Sequence, residues 1–171
     1  MPNKPLENKV AKKAIIQLDP QAFIYKDAML VGFDLKPLLF KELLLKEEDF
    51  RTALKDFDFS IFQDKMTYIY CSSDAIIPMW AYMLVASHLE NVSKSTIFAE
   101  DKAAAEQLFL IKHIENMDES PYKDKRIVIK GCGDRKLSPN VYTALIAKLQ
   151  PIAKALMFGE SCSMIPVFRK K

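Results

Sequence analysis

Two segments of this chain read alike, and together they constrain the fold more than any other feature. Phe62-Gln63-Asp64-Lys65 leads into Met66-Thr67-Tyr68-Ile69-Tyr70-Cys71, and Tyr122-Lys123-Asp124-Lys125 leads into Arg126-Ile127-Val128-Ile129-Lys130-Gly131-Cys132. Each is a short run rich in β-branched or aromatic residues, suited to a buried strand, and each delivers a thiol at its C-terminal end. A helical pattern follows the first, opened near Pro78, carried by Trp80, Leu84 and Leu89 and ending at about Glu90. Ser138-Pro139 opens the corresponding helix after the second, which runs to Leu149 before Pro151 ends or kinks it. Ser95-Thr96-Ile97-Phe98-Ala99 and Ala155-Leu156-Met157-Phe158 then read as strands. A strand–helix–strand unit with a crossover of this length gives parallel strands.

The two units superpose at an offset of sixty: Asp64 on Asp124, Lys65 on Lys125, Ile69 on Ile129, Tyr82 on Tyr142, Leu89 on Leu149, Lys94 on Lys154, Phe98 on Phe158 and Glu100 on Glu160. Cys132 misses that register by one residue, Gly131 being the extra one. Either the units descend from a duplication, or common βαβ patterning aligns them. The expected fold is a single α/β domain over residues 1–171, three-layered, with a mostly parallel sheet. Residues 1–60 supply N-terminal strands and helices, 61–100 the first βαβ unit and 121–162 the second.

The first third carries no motif to which chemistry attaches. Ala14–Leu18 and Met29–Asp34 read as strands, and the leucines after Pro37 (Leu38, Leu39, Leu43, Leu44) as a helix. Phe50, Leu54 and Phe57 recur at helical spacing. Lys102–Met117 is a further helix, and Ile165-Pro166-Val167-Phe168 an edge strand, because its proline excludes a central position. With 171 residues and 50% hydrophobic content, the chain buries one sizeable core. The net charge of +3 sits mainly at the ends, in Lys4, Lys9, Lys12, Lys13 and Arg169-Lys170-Lys171, which is not a nucleic-acid footprint. No apolar run approaches the ~18 residues of a membrane span and no signal peptide opens the chain. Three cysteines without close spacing argue against a disulfide framework, so a reducing cytoplasm is the expected compartment.

Sites in open parallel sheets lie at the C-terminal ends of the strands. Cys71, Cys132 and Cys162 each fall at or just beyond such an end, and the expectation is that they converge on one edge. Three thiolates suit zinc or an iron–sulfur cluster, with a fourth position filled by Asp74, Glu160, Glu100, Asp101 or water. None of the spacings is a CxxC knuckle. A second reading is thiol chemistry: Cys71 and Cys132 precede helices whose N-termini would lower a thiol pKa. Tyr70-Cys71 is similar to the lead-in of a rhodanese active loop, which would make the chain a sulfurtransferase. However, Ser72-Ser73-Asp74-Ala75-Ile76-Ile77 lacks that loop's anion-cradling residues, and Cys132-Gly133-Asp134-Arg135-Lys136 is the better cradle. The third reading is a non-catalytic binding or assembly factor, using apolar surface and the Ile165–Phe168 edge to dock a partner or a second copy. His88 and His113 read as surface histidines, and Trp80, Tyr82, Met29, Met79, Met83 and Met157 as core. The chain's four glycines supply no phosphate loop.

Cys71-Ser72-Ser73-Asp74-Ala75-Ile76-Ile77-Pro78 with Trp80-Ala81-Tyr82-Met83, Ile129-Lys130-Gly131-Cys132 and Gly159-Glu160-Ser161-Cys162-Ser163 resemble the bacterial family called domain of unknown function 2480. Asn8-Lys9-Val10 and Leu149-Gln150-Pro151 extend the resemblance over nearly the whole chain. All three cysteines fall inside these motifs. The resemblance implies no particular activity, but it does imply iron–sulfur assembly proteins as partners, which favours the metal reading.

Overall fold

A computed structural model describes residues 15–131, 133–160 and 163–171. Cys132, Ser161, Cys162 and the N-terminal lysines lie outside the described residues. In chain order the elements are β1 (Ile15–Leu18), β2 (Leu30–Asp34), α1 (Glu47–Asp56), β3 (Met66–Tyr70), α2 (Met79–Leu89), β4 (Ser95–Phe98), α3 (Lys102–Asn116), β5 (Arg126–Ile129), α4 (Pro139–Leu149), β6 (Ala155–Glu160) and β7 (Ser163–Arg169). The fold is α/β. Its strands fall into two sheets, where one mostly parallel sheet was expected: β2-β3-β4, wholly parallel, and β1-β5-β6-β7, parallel except for the last strand.

The chain divides into two compact units, Tyr25–Leu110 and the remainder, so the first is inserted between Ile24 and Ile111 of the second. In the inserted unit, neighbouring residues of β3 enter two different cores. Ile69 packs with Phe33, Phe50, Leu54, Ala81, Val85 and Leu89, which come from β2, α1 and α2. Met66 and Tyr68 pack with Leu30, Ala105 and Phe109, the last two from α3. This alternation follows from the two-residue period of a strand, and a strand buried on both faces reads as a nearly continuous apolar run. In the other unit, Ile127, Val128 and Ile129 of β5, Val141, Leu145 and Leu149 of α4, and Leu156 of β6 are all buried.

The elements recur at a constant displacement. β3, α2 and β4 begin at residues 66, 79 and 95, and β5, α4 and β6 begin at 126, 139 and 155. The detail recurs too. Asp64 and Asp124 both take positive φ, 59° and 55°, a conformation that Asp tolerates better than most residues. Their backbone N–H groups donate to Val92 O and Ile152 O, at 3.0 and 2.9 Å. Asp58 and Asp118 each accept from the backbone N–H two residues on, at 2.9 Å in both cases. Tyr82 meets Phe98 edge-on at 81°, as Tyr142 meets Phe158. Upstream, α1 matches the end of α3: Phe50 and Leu54 are buried, and so are Leu110 and Ile114. β2 and β1 match at a different displacement. Asp34 and Asp19, at or just after their ends, each accept from the backbone N–H two residues on, and a proline follows each.

Two expectations fail in the first third and in α2. The leucine run after Pro37 is not an α-helix. A single 3-10 turn at Lys36–Leu38 is followed by a reversal through Lys41 and Glu42, both at positive φ (49° and 60°), which bridges Phe40 to Leu44. Of that run only Leu39 is buried, together with Leu35 just before it. Met79 and Met83 are not core either; they are 70% and 71% exposed. Because α2 is apolar nearly all round, its sequence does not say which face turns inward; Ala81, Val85 and Leu89 do. Pro151 does end α4, at Leu149, and β7 is an edge strand as expected.

Candidate functional site

Each unit has a C-terminal strand edge, and each edge is built around an aspartate. In the inserted unit, Asp34 closes β2 opposite Tyr70 of β3. Its carboxylate accepts from the backbone N–H of Lys36 at 3.0 Å, the backbone N–H of Ser72 at 2.9 Å and the Ser72 hydroxyl at 2.5 Å. Burial acts to raise its pKa, but these hydrogen bonds, with the charge of Lys36, outweigh it and hold the carboxyl below the ordinary aspartate value. The turn after β3 is therefore tied to β2. Beside it, Tyr68 and Tyr70 stack at 5.2 Å over Gly32, where a Cβ would meet both rings. Burial raises the pKa of Tyr68, with smaller contributions from Tyr70, Asp101 and Asp34; Tyr70 is raised by burial and then by Asp34.

Cys71 is half-buried and packs against the core that holds α2. Its Sγ lies 3.6 Å from Ser73 Oγ, a weak hydrogen bond. Tyr82 faces it: burial pushes the phenol pKa up, and the negative charge available at Cys71 pushes the same way. Helix α2 begins at Met79, eight residues after Cys71, so the thiol is not in the first helical turn, where the dipole acts. The activation argument for Cys71 is thereby overturned. The Ser72 N–H and hydroxyl both point at the Asp34 carboxylate rather than outward, in keeping with a loop that lacks anion-cradling residues. For Cys132 the same argument weakens, since α4 begins at Pro139. Asp74 is exposed, on the loop that continues from Ser73.

In the other unit, Leu18 of β1 pairs with Ile129 of β5, and Ile129 in turn with Phe158 of β6. Three strand ends thus lie side by side. Asp19 follows β1, accepts from the Gln21 N–H at 3.0 Å and sits 3.6 Å from Lys130 Nζ, an ion pair. Gly131 occupies the place of Cys71, and a Cβ there would run into the Phe158 ring, so only glycine lets that ring close over the strand end. The loop beyond is clasped by Gln21, whose Nε2 donates to Arg135 O at 3.0 Å while its Oε1 accepts from the Arg135 N–H at 3.4 Å. A Cβ at Gly133 would collide with the same amide. β5 ends three residues before Cys132; Glu160, half-buried, is the last residue of β6, two before Cys162.

Of the proposed metal donors, then, Cys71 and Asp74 belong to the inserted unit and Glu160 to the other, while Cys132 and Cys162 lie outside the described residues. Among the described residues no group of three or more His, Cys, Asp or Glu is placed to hold a metal ion. The histidines are not plain surface residues. His88 stacks on Phe59 at 5.0 Å and 3°, and His113 lies tilted against Phe23 at 5.0 Å. Asp34, Asp19 and Gln21 were missed from the sequence; the signal was an aspartate closing a strand with a proline one or three residues on.

The family described as "Protein of unknown function (DUF2480)" matches residues 4–170. The chain belongs to this family. The match takes in both aspartate-capped edges and all three cysteines. Comparison with the curated proteins and with the solved structures gives no match. Among the described residues, no helix is long and apolar enough to cross a membrane.

Proposed function

We propose that this member of the DUF2480 family handles a soft metal ion, zinc or an iron–sulfur cluster, through thiolates at its strand ends. The supporting observation is the pairing of Ile129 with Phe158: the two strand ends that lead to Cys132 and Cys162 are hydrogen-bonded neighbours in one parallel ladder. Glu160, at the end of β6 and two residues before Cys162, is the proposed oxygen donor of this pair. Thiolate and carboxylate donors suit zinc, and thiolates suit iron–sulfur clusters. Cys71 and Asp74 are the remaining proposed donors.

The reading includes a three-layer arrangement and an origin of the two βαβ units by internal duplication, which the sixty-residue recurrence of turns, helices and ring contacts supports. It also includes a cytoplasmic location, where thiols stay reduced, and iron–sulfur assembly proteins as partners. Elemental analysis and an absorption spectrum of anaerobically purified protein test it. Stoichiometric metal or a cluster is expected, lost from both Cys132→Ser and Cys162→Ser, and Cys71→Ser reports whether the third thiol serves the same centre. Metal-free protein whose three serine variants are all as stable as the parent sinks the proposal.

A second reading, a non-catalytic binding factor, is favoured by one observation. Ile76, Met79 and Met83 are 96%, 70% and 71% exposed, an adaptable apolar surface of the kind used in docking, whether to another protein or to a second copy. A monodisperse monomer that captures no assembly protein would count against it.

A further inference from the structure

At the opposite end of the β5–β6 ladder from the strand ends that lead to Cys132 and Cys162 lies a cavity of about 300 Å³ that the thiol chemistry does not use. Its position follows from register. Arg126, the first residue of β5, pairs with Ala155 of β6, and Ala155 pairs with Arg169 of β7. Residues paired across neighbouring strands project from the same face of a sheet. Two arginines therefore flank a methyl group, which leaves a hollow between them. Lys154 and Lys170 complete the rim, and they are held together through the backbone, the Lys170 N–H donating to Lys154 O at 3.0 Å. Met157 and its partner Pro166, on that same face, supply apolar wall.

No carboxylate lines this cavity, and none of the four cations makes an ion pair with a described residue. Like charges gathered round an apolar hollow repel one another and destabilise the fold unless an anion joins them. We propose that this is a binding site for a phosphate monoester carried on a small apolar body. Two guanidinium forks and two ammonium groups offer more donors than one carboxylate can accept, whereas a phosphate has three terminal oxygens and nearly two negative charges. The apolar wall takes the body. The inserted unit has no counterpart: Met66 stands in place of Arg126, and no strand corresponds to β7.

The test is an amide-shift titration of the full chain by NMR at low ionic strength with phenyl phosphate, inorganic phosphate and phenol. Saturable shifts centred on Ala155, Met157, Phe168 and Lys170 are expected, with phenyl phosphate bound at least about tenfold more tightly than either fragment. The Lys154→Gln/Lys170→Gln variant, whose substitutions are both at exposed positions, should weaken that binding at least about tenfold, and Ala155→Leu should abolish it by filling the hollow. The amide spectrum of each variant reports its fold at the same time. Shifts centred elsewhere, phenyl phosphate no tighter than its fragments, or equal binding by the lysine variant would each overturn the assignment.

Discussion

The strand–helix–strand segment of the inserted unit and its counterpart sixty residues later share a backbone plan but differ in what they bury. In β3-α2-β4 and the turn before β4, Thr67 is fully buried, and its hydroxyl meets Ser93 Oγ at 2.8 Å. The positions sixty residues on are Ile127 and Ala153, both fully buried and both apolar. Thr96, whose buried hydroxyl finds no partner among the described residues, corresponds to Leu156, again fully buried. Among the described residues, one interior is thus partly polar and the other apolar within the same geometry. The comparison separates two jobs of a core residue. Shape and turn chemistry set the fold, and both units satisfy them; hydrogen-bonding groups inside add a requirement that, among the described residues, the inserted unit alone carries.

The largest test of equivalence lies in the helices. Leu89 and Leu149 end α2 and α4, and both are fully buried. Leu89→Ala and Leu149→Ala should each cost about 2–5 kcal/mol, the transfer of the lost atoms plus the cavity left behind, measured by urea denaturation. A cost below about 1 kcal/mol for either would mean that the position does not close a tight core.

The polar pair gives the next effect. Ser93→Ala strands the Thr67 hydroxyl in the interior and should cost about 1–3 kcal/mol. Thr67→Val combined with Ser93→Ala turns the pair into its apolar counterpart and should recover most of that loss, so a double-mutant cycle in denaturant yields a coupling energy of opposite sign to the single losses. Thr96→Val removes an unpaired hydroxyl while keeping the β-branched shape. It should raise stability by up to about 1 kcal/mol, seen as a higher melting temperature.

Much of this plan was legible beforehand. Ile69 and Ile129, Tyr82 and Tyr142, and Leu89 and Leu149 announced the recurring unit, because strand and helix periods leave a mark on apolar residues. Where apolar residues cover every face, as in Leu35–Leu44 or Met79–Leu89, period carries no direction, so the tight turn at Lys41-Glu42 and the outward methionines could not be read. The edges were legible only as thiols. The aspartates that organise them act through backbone and hydroxyl hydrogen bonds between residues far apart in sequence, Asp34 with Ser72 for instance, and a single chain leaves no local trace of such pairing. The cationic hollow was hidden for the same reason. Arg126, Lys154 and Arg169 are scattered along the chain and meet only through strand register.

Among the described residues the two edges also differ in how they hold their aspartate, and pH reads that difference. Asp34 accepts three hydrogen bonds, and its pKa lies below the ordinary value; Asp19 is held by the Gln21 N–H and by Lys130 at 3.6 Å, with both partners of that ion pair substantially exposed. A depressed folded-state pKa means that the carboxylate contributes stability above the unfolded value of about 3.9 and loses it as pH falls through the lower folded value. Stability should therefore decline below about pH 4, and Asp34→Asn should flatten that decline while lowering stability at neutral pH, because Ser72 loses its charged acceptor. Ser72→Ala removes one hydroxyl donor and should soften the same acid limb by a smaller amount. Lys130→Ala at the other edge breaks only an exposed pair and should change stability by less than about 1 kcal/mol. Denaturation midpoints of the four proteins between about pH 3 and 7 make the comparison. An acid limb that Asp34→Asn leaves unchanged would show that the hydrogen bonds across β2 and β3 do not hold that carboxylate ionised.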